Sequence, residues 1–496
     1  MSFPIEHARA SLRLTTRRHF LRDGLAGVGG LWLASQLAGD AQASPIAESR
    51  AVIDPTKPLV PRQPDLPAKA TRVIFIHLSG APSQLELYDH KPELARLDGQ
   101  DCPREFLTGK RFAFIQGTPK LLGPRAKFRQ AGDAGLSISD NLPHLAGQID
   151  KLCFLRTMRT DQINHAPAQL LTQTGDPRIG GASIGSWVTY GLGSENQNLP
   201  GFVVLLSGGS FPDAGKSAWG SGFLPGVYQG VQCRSQGDPV LYLSNPPGID
   251  GDLRRRMIDA ITRLNQQTHR ELGDPATVTR IAQYELAARM QLAASDAMNL
   301  SDETKATLDH YGAQPGKERL ANNCLLARRL VERGVRFVQL YDWGWDSHGN
   351  NEAESLTSGF RRKCRELDRP VAALLADLEQ RGLLNETLVV CGAEFGRTPM
   401  RENRGGETMQ YLGRDHHGTA YTIWLAGAGV KSGFSFGETD PIGCNPITPS
   451  TEVRDLQATI LRLLGLDHQR LIYPRQGLDH KLTGVEPARV IDEVLA

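Results

Sequence analysis

Five continuous apolar runs, each rich in β-branched residues, recur along the chain. They cover residues 72–78, 201–206, 334–340, 387–391 and 421–425. Runs without polar alternation are typical of strands buried on both faces, as in a parallel sheet covered by helices. Helical periodicity marks the stretches between and after them, at residues 252–267, 275–298, 317–333, 354–381 and 452–464. This alternation predicts an α/β fold with a large, mostly parallel sheet flanked by helices on both faces.

Composition is that of a globular chain. Its 496 residues are 40% hydrophobic and 22% charged, which fits neither a disordered chain nor a membrane bundle. The 56 basic and 54 acidic residues leave a net charge of +2, so the basic excess of a sequence-independent nucleic-acid binder is missing. The seven cysteines are widely spaced without a Cys-x-x-Cys pair. They predict neither a disulfide scaffold nor a thiolate zinc site.

The first 43 residues have the pattern of an export signal. Arg17 and Arg18 precede a weakly apolar, glycine-rich run at residues 24–38, and a small-x-small motif ends at Ala43. This order is similar to a twin-arginine signal; the alternative is an amphipathic N-terminal helix. The resemblance implies export of the folded chain by the twin-arginine machinery, to the periplasm or out of the cell. No later stretch reaches the roughly 18 apolar residues of a membrane-spanning helix.

Polar clusters stand beside three of the predicted strands. Asp346 and His348 follow the strand at residues 334–340, Glu394 and Arg397 follow that at residues 387–391, and Asp415, His416 and His417 precede that at residues 421–425. Ligand groups in α/β sheets belong at the carboxyl ends of strands. Each cluster alone is equally typical of a turn or a polar surface. Together they predict one site for an anion or a divalent metal such as Zn, Ca or Mg, with these ligands: Asp346, His348, Glu394, Asp415, His416 and His417.

Two further segments are candidates because each opens a helix. His165 stands just before Pro167, which suits a first helical turn, and Ser83 follows the first predicted strand. A helix N-terminus attracts anions. Ordinary N-capping explains both segments equally well.

The chain resembles a bacterial family known as domain of unknown function 1501, which is placed with sulfatase-like proteins in the alkaline phosphatase superfamily. The resemblance is carried by residues 80–92, 344–350, 394–399, 413–417 and 425–433. It implies an alkaline-phosphatase-like sandwich forming a single domain at residues 71–496, behind an extended, proline-rich lead-in at residues 44–70. It also implies that Asp346, His348, Glu394 and one histidine of the pair at 416–417 hold a metal.

Two departures from the sulfatase pattern bear on the chemistry. In the register of the sulfatase motif Cys-x-Pro-Ser-Arg, this chain has His165-Ala-Pro-Ala-Gln169, and the first strand ends in Leu-Ser-Gly80 where sulfatases have paired aspartates. His165 therefore replaces the formylglycine precursor and Gln169 replaces the arginine that supports it. A standard two-metal site with the usual nucleophile is not expected.

The leading hypothesis is an exported, metal-dependent hydrolase of sulfate or phosphate esters with a non-standard nucleophile. Its candidate catalytic residues are His165, as ligand, base or nucleophile, together with Arg397 and Ser83. Arg397 would neutralise the ester oxygens, although a structural ion pair explains it equally well. The alternative is a non-catalytic protein of the same fold that binds an anionic small molecule, a sulfated or phosphorylated glycan, or a secreted partner.

Overall fold

A computed structural model describes residues 54, 57–236, 239–240, 248–272, 275–404 and 406–496. The predicted export signal at residues 1–43 lies outside the described residues, as do residues 44–53, 55 and 56 of the predicted lead-in. Among the described residues, no helix combines the length and apolar character that crossing a membrane requires.

The described part of the chain contains one nine-stranded sheet and four two-stranded ones. Its strands are β1 (Arg72–Ser79), β2 (Phe128–Ala131), β3 (Leu136–Ser139), β4 (Leu152–Arg159), β5 (Phe202–Ser207), β6 (Val231–Cys233), β7 (Phe337–Trp343), β8 (Thr387–Gly392), β9 (Gly396–Arg397), β10 (Asn403–Arg404), β11 (Glu407–Thr408), β12 (His416–His417), β13 (Tyr421–Ala426), β14 (Phe434–Phe436), β15 (Thr451–Glu452), β16 (Tyr473–Arg475) and β17 (Leu478–His480). The large sheet has the order β14-β4-β13-β8-β1-β7-β5-β6, and β15 also pairs with β4.

Helices flank this sheet. Within the described residues they are α1 (Pro92–Arg96), α2 (His165–Thr174), α3 (Ile184–Leu192), α4 (Gly251–Leu272), α5 (Pro275–Met298), α6 (Lys305–Tyr311), α7 (Leu320–Glu332), α8 (Gly359–Gln380) and α9 (Val453–Leu463). Short 3₁₀ turns connect several elements, including one at Gln84–Glu86. The prediction of a large, mostly parallel sheet flanked by helices is confirmed.

The structure differs from the sequence prediction in the start of one strand and in the number of strands, because β4, β6, β14 and β15 of the large sheet were not predicted. Strand β7 begins at Phe337, later than predicted, because α7 ends at Glu332 and Gly334 turns the chain with a φ of +81°. Strand β4 was not predicted, since Arg156 interrupts its apolar run. That arginine is satisfied within the fold: its Nη1 donates to the carbonyl of Tyr88 at 2.6 Å and its Nε to Ser435 Oγ at 2.7 Å.

The direction of β13 decides where the polar clusters meet. In the large sheet β13 is antiparallel to both β4 and β8, while every other pairing is parallel. The residues that precede β13 therefore lie at the same sheet edge as those that follow β4, β7 and β8. Four chain segments that are distant in sequence thus converge at one edge.

Candidate metal centre

Four side chains from three segments meet at this edge. They are His165 at the start of α2, Asp346 and His348 after β7, and His416 in β12, and one ligand atom from each lies within 4.8 Å of the others. Asp346 is at the centre: its Oδ1 is 2.8 Å from His348 Nε2 and 3.6 Å from His416 Nε2, and its Oδ2 is 3.4 Å from His165 Nε2. We call these four residues the metal centre.

Each imidazole of the metal centre turns its Nε2 inward because its Nδ1 is held from outside. His165 Nδ1 is 2.7 Å from Glu394 Oε1, His348 Nδ1 is 2.5 Å from Glu402 Oε2, and His416 Nδ1 is 2.7 Å from the carbonyl of Ile163. An acceptor at Nδ1 fixes the tautomer that leaves a lone pair on Nε2, as in most metal-binding histidines. The buried Nε2 atoms of His165 and His416 have no hydrogen-bond partner among the described residues.

The short strand β12 explains why only one histidine of the adjacent pair enters the metal centre. β12 pairs antiparallel with β9, with His416 opposite Arg397 and His417 opposite Gly396. Successive side chains of a strand point to opposite sides. His416 consequently faces Asp346, whereas His417 Nε2 bonds to the carbonyl of Cys444 at 2.8 Å.

Arg397 is enclosed behind Asp346. Its side chain is fully buried, and its Nη2 lies 2.5 Å from Asp346 Oδ1 and 2.5 Å from the carbonyl of Gly80. Its Nε donates to the carbonyl of Ala81 at 2.8 Å and its Nη1 to that of Arg414 at 3.0 Å. The guanidinium thus neutralises and orients Asp346, and its donors are engaged within the protein.

Glu394 fixes the orientation of His165 through its Nδ1. Its Oε1 accepts from His165 Nδ1, from the Gly80 amide at 3.0 Å and from Gln169 Nε2 at 3.1 Å, and its Oε2 lies 3.1 Å from His77 Nε2. Gln173 Nε2 is in turn 3.3 Å from His77 Nδ1. Positions 165, 169 and 173 lie on one face of α2 because they are four residues apart, so the helix presents its polar face to this buried network.

The loops that carry the ligands are packed against one another through backbone contacts. A Cβ at Gly80, whose φ is +104°, would lie 2.5 Å from the amide nitrogen of Asp346. A Cβ at Gly413 would lie 2.0 Å from the carbonyl carbon of His348. Both contacts are far below ordinary van der Waals separation, so only glycine allows the segments to approach this closely.

Charges within the metal centre shift its pKa values in opposite directions. Burial lowers the pKa of His165, but its contacts with Asp346 and Glu394 outweigh burial and raise the pKa to about 9. Burial would raise the pKa of Asp346, yet Arg397 and the imidazoles lower it. For His416, burial together with Arg397 prevails over its contact with Asp346, and its pKa falls to about 4. The raised pKa of His165 thus favours a protonated imidazole beside the ionised carboxylate of Asp346, whereas the lowered pKa of His416 favours a neutral one.

Aromatic rings cover the imidazoles and leave Asp346 open. Phe114 packs edge-on against His348 with ring centroids 5.0 Å apart, and Phe395 lies 4.5 Å from His416 and 4.9 Å from His165. The side chain of Asp346 is 37% exposed, whereas that of His348 is 4% exposed. The metal centre is thus reachable from solvent on its carboxylate side.

The other candidates from sequence analysis lie next to the metal centre or apart from it. Glu394 is not one of the four residues of the metal centre but contacts His165 at Nδ1. Asp415 lies near His348 and Glu402, but its Oδ2 accepts from the Phe114 and Ile115 amides at 2.7 and 3.0 Å. Ser83 Oγ bonds to Glu86, whose carboxylate is paired with buried Arg414. Neither Ser83 nor His417 is brought into the metal centre.

Sequence reasoning missed four residues around the metal centre. Two are polar: Glu402, which holds His348, and His77, which contacts Glu394. The other two are the ring neighbours Phe114 and Phe395. A histidine inside an otherwise apolar strand is itself a signal, because a buried imidazole needs a partner. No comparable signal marks Glu402, which reaches its position through the fold of the loop after β9.

The model of the family described as "Protein of unknown function (DUF1501)" matches residues 70–495. No curated protein matches the chain.

Similar solved structures include an alkaline phosphatase from the Antarctic bacterium TAB5, at 10% identity over 82% of this chain and 100% of that one, with a TM-score of 0.34. The sulfatase PsFucS1 from Pseudoalteromonas sp. is 12% identical over 82% of this chain and 68% of its own, with a TM-score of 0.37. The lipoteichoic acid synthase LtaP from Listeria monocytogenes is 9% identical over 84% of this chain and 75% of its own, with a TM-score of 0.32.

Proposed function

Since this chain belongs to DUF1501, a family of proteins of unknown function, we propose its function from the metal centre itself. The chain is a metal-dependent hydrolase of sulfate or phosphate esters. The observation that carries the proposal is the convergence of three imidazole Nε2 atoms and one carboxylate within 4.8 Å, each imidazole being oriented by an acceptor at its Nδ1.

The donor set favours one class among the metals considered. Ca and Mg prefer oxygen ligands, and Mg retains several waters. Three imidazoles with one carboxylate suit Zn and the neighbouring first-row transition ions. The unpartnered Nε2 atoms of His165 and His416 support this choice, because a buried nitrogen left without a partner costs free energy that a metal bond would recover. We propose that His165, Asp346, His348 and His416 hold a single ion of this class.

A bound ion of this kind supplies Lewis-acid polarisation of an ester oxygen. The chain's own residues prepare the place for it. Arg397 holds the Asp346 carboxylate ionised and oriented, while Glu394 orients the imidazole of His165 and Glu402 that of His348. The rings of Phe114 and Phe395 pack against the imidazoles and exclude water from those faces. The exposed side of Asp346 is the approach for an anionic ester.

The structure bears on the nucleophile as well. Among the described residues, no serine, threonine or cysteine side chain hydrogen-bonds to the four ligands, and His165 has its Nδ1 held by Glu394 and its Nε2 turned toward Asp346 at 3.4 Å. We infer that hydrolysis here uses water without a covalent enzyme intermediate. The same observation favours the second candidate function, a non-catalytic protein that binds a sulfated or phosphorylated ligand through a metal.

The test is metal analysis of the purified chain combined with a screen of nitrophenyl phosphate and nitrophenyl sulfate. We expect one transition ion per chain and metal-dependent turnover of at least one ester. His348→Ala and His416→Ala should abolish both, whereas the adjacent His417→Gln and the exposed His310→Ala should retain the ion.

Each outcome separates the candidates. A stoichiometric ion that binds phosphate or sulfate without turnover supports the non-catalytic binder. Absence of a bound ion, or turnover that is unchanged in His348→Ala, contradicts both.

We also propose that the chain is exported by the twin-arginine machinery, because of the order of residues at its N-terminus. Replacing Arg17 and Arg18 together by lysine should keep the chain inside the cell. The single change Arg22→Lys, with the same chemistry outside the pair, should leave export intact. Equal export of both variants would contradict the proposal.

A further inference from the structure

Helix α4 presents an apolar stripe to solvent. Four large apolar side chains spaced four, four and three residues apart lie on one face, as helical periodicity requires. They are Leu253, Met257, Ile261 and Leu264, with exposed fractions of 37, 45, 36 and 64%. The helix packs against α5, and the side chains of the adjoining face are half-buried: Arg254, Ile258, Thr262 and Asn265. The apolar stripe is thus not the surface that attaches α4 to the described protein.

Arginines accompany this stripe. Arg256, Arg263 and Arg270 recur every seven residues, about a third of a turn from the stripe. None of these three has an ion pair or hydrogen bond among the described residues. Asp252 and Asp259 lie on the same flank, and the whole helix has five arginines against three acidic residues. We call these three arginines the arginine row.

A helix with an exposed apolar stripe beside a row of arginines has the character of an interfacial helix. Such helices lie in the plane of a membrane, with the apolar face in the headgroup and acyl boundary and cations near anionic lipids. Arginine stems are long enough to lie along the apolar surface while the guanidinium reaches a phosphate. We propose that α4 docks this protein onto an anionic lipid surface.

Charge distinguishes this partner from a second copy of the chain. Antiparallel pairing of two α4 stripes would set the flank that carries the arginine row, with its three arginines against two aspartates, opposite the same flank of the other copy, so that two surfaces of net positive charge would meet. Like charges facing each other disfavour association, whereas anionic headgroups neutralise the row. None of the stripe or row residues takes part in the metal centre, so the proposal is independent of the proposed hydrolase function.

The experiment is co-sedimentation of the full chain with vesicles of phosphatidylcholine alone or mixed with phosphatidylglycerol. We expect binding to the anionic vesicles only, and weaker binding at high salt because the attraction is screened. Each arginine near such a surface contributes about fivefold in affinity. The triple variant Arg256→Glu, Arg263→Glu, Arg270→Glu should therefore lose at least about a hundredfold.

A matched control separates the arginine row from net charge. Three exposed arginines elsewhere, changed as Arg104→Glu, Arg111→Glu and Arg319→Glu, alter the net charge equally and should leave vesicle binding within about threefold of the wild type, as expected for charges remote from the surface. Circular dichroism and bound metal should be unchanged in both triple variants, since their side chains are exposed.

Three results would overturn the proposal. The first is that wild-type protein binds neither vesicle, and the second is an equal loss in the two triple variants. The third is a dimer in sedimentation equilibrium that dissociates when Met257, Ile261 and Leu264 are changed to serine, because the stripe would then bind a second copy.

Discussion

Glu394→Gln tests whether the metal centre depends on the residues that orient its ligands. The substitution keeps the shape of the side chain and removes its charge. Glu394 Oε1 lies 2.7 Å from His165 Nδ1 and also accepts from the Gly80 amide and Gln169. A glutamine can still accept one of these bonds, but the charge-assisted component of the bond to His165 is lost.

The size of the effect follows from that single bond. Partners that orient metal-binding histidines typically contribute 10- to 100-fold in metal affinity, which corresponds to about 1.4–2.7 kcal/mol. We expect the metal dissociation constant of Glu394→Gln to rise by this factor. The measurement is competition of the purified variant with a chromophoric chelator, which requires no turnover.

Two controls separate orientation from general damage. Glu379→Gln changes a largely exposed glutamate that pairs with Lys151 at 3.0 Å, and it should leave metal affinity unchanged. If Glu394 acts through His165, adding Glu394→Gln to His165→Ala should cause little further loss of affinity. A folded Glu394→Gln variant whose affinity stays within about threefold of the wild type, well under the range typical of such partners, would refute the reasoning.

Two further predictions concern the packing of the metal centre and the stability of the fold. Gly80→Ala would place a Cβ 2.5 Å from the Asp346 amide nitrogen, so metal affinity and melting temperature should both fall. The control is Gly99→Ala, which is also at positive φ but whose Cβ would have no atom within 4 Å, so it should lower only the melting temperature. An equal loss of metal affinity in both variants would contradict this prediction. Glu303→Gln should cost about 3 kcal/mol at pH 7, because Glu303 Oε1 lies 2.7 Å from Arg328 and 2.6 Å from Arg329. Burial would raise the pKa of Glu303, but these arginines lower it, so its contribution is present above the unfolded pKa of about 4.3 and is lost as the pH falls through the folded value. Melting temperatures of Glu303→Gln and wild type should therefore converge in acid, and a difference that grows on acidification would show the opposite sign.

The sequence was sufficient for five of the nine strands of the large sheet and for most of the metal centre. Continuous apolar runs predict strands such as β1 and β8, since a strand buried on both faces has no polar alternation. Placement of polar loops at strand ends brought Asp346, His348 and His416 together as candidates. The resemblance to sulfatases added His165, which the structure places beside Asp346.

What could not be predicted depends on direction and register. The antiparallel course of β13 decides that the loop before it, rather than after it, reaches the metal centre. Choosing between His416 and His417 requires knowing that both stand in a strand, so that their side chains diverge. Glu402 has no local signal, because its bond to His348 joins segments 54 residues apart.

X-ray absorption spectroscopy of the purified, metal-loaded chain tests the central claim most directly, since it reports the ligands of the ion without requiring a substrate. We predict one transition ion per chain with three imidazole nitrogens and a carboxylate oxygen in its inner sphere, reduced to two imidazoles in His416→Ala and unchanged in His417→Gln. An ion surrounded by oxygen alone, or an imidazole signal that persists in His416→Ala and is lost in His417→Gln, would contradict the account.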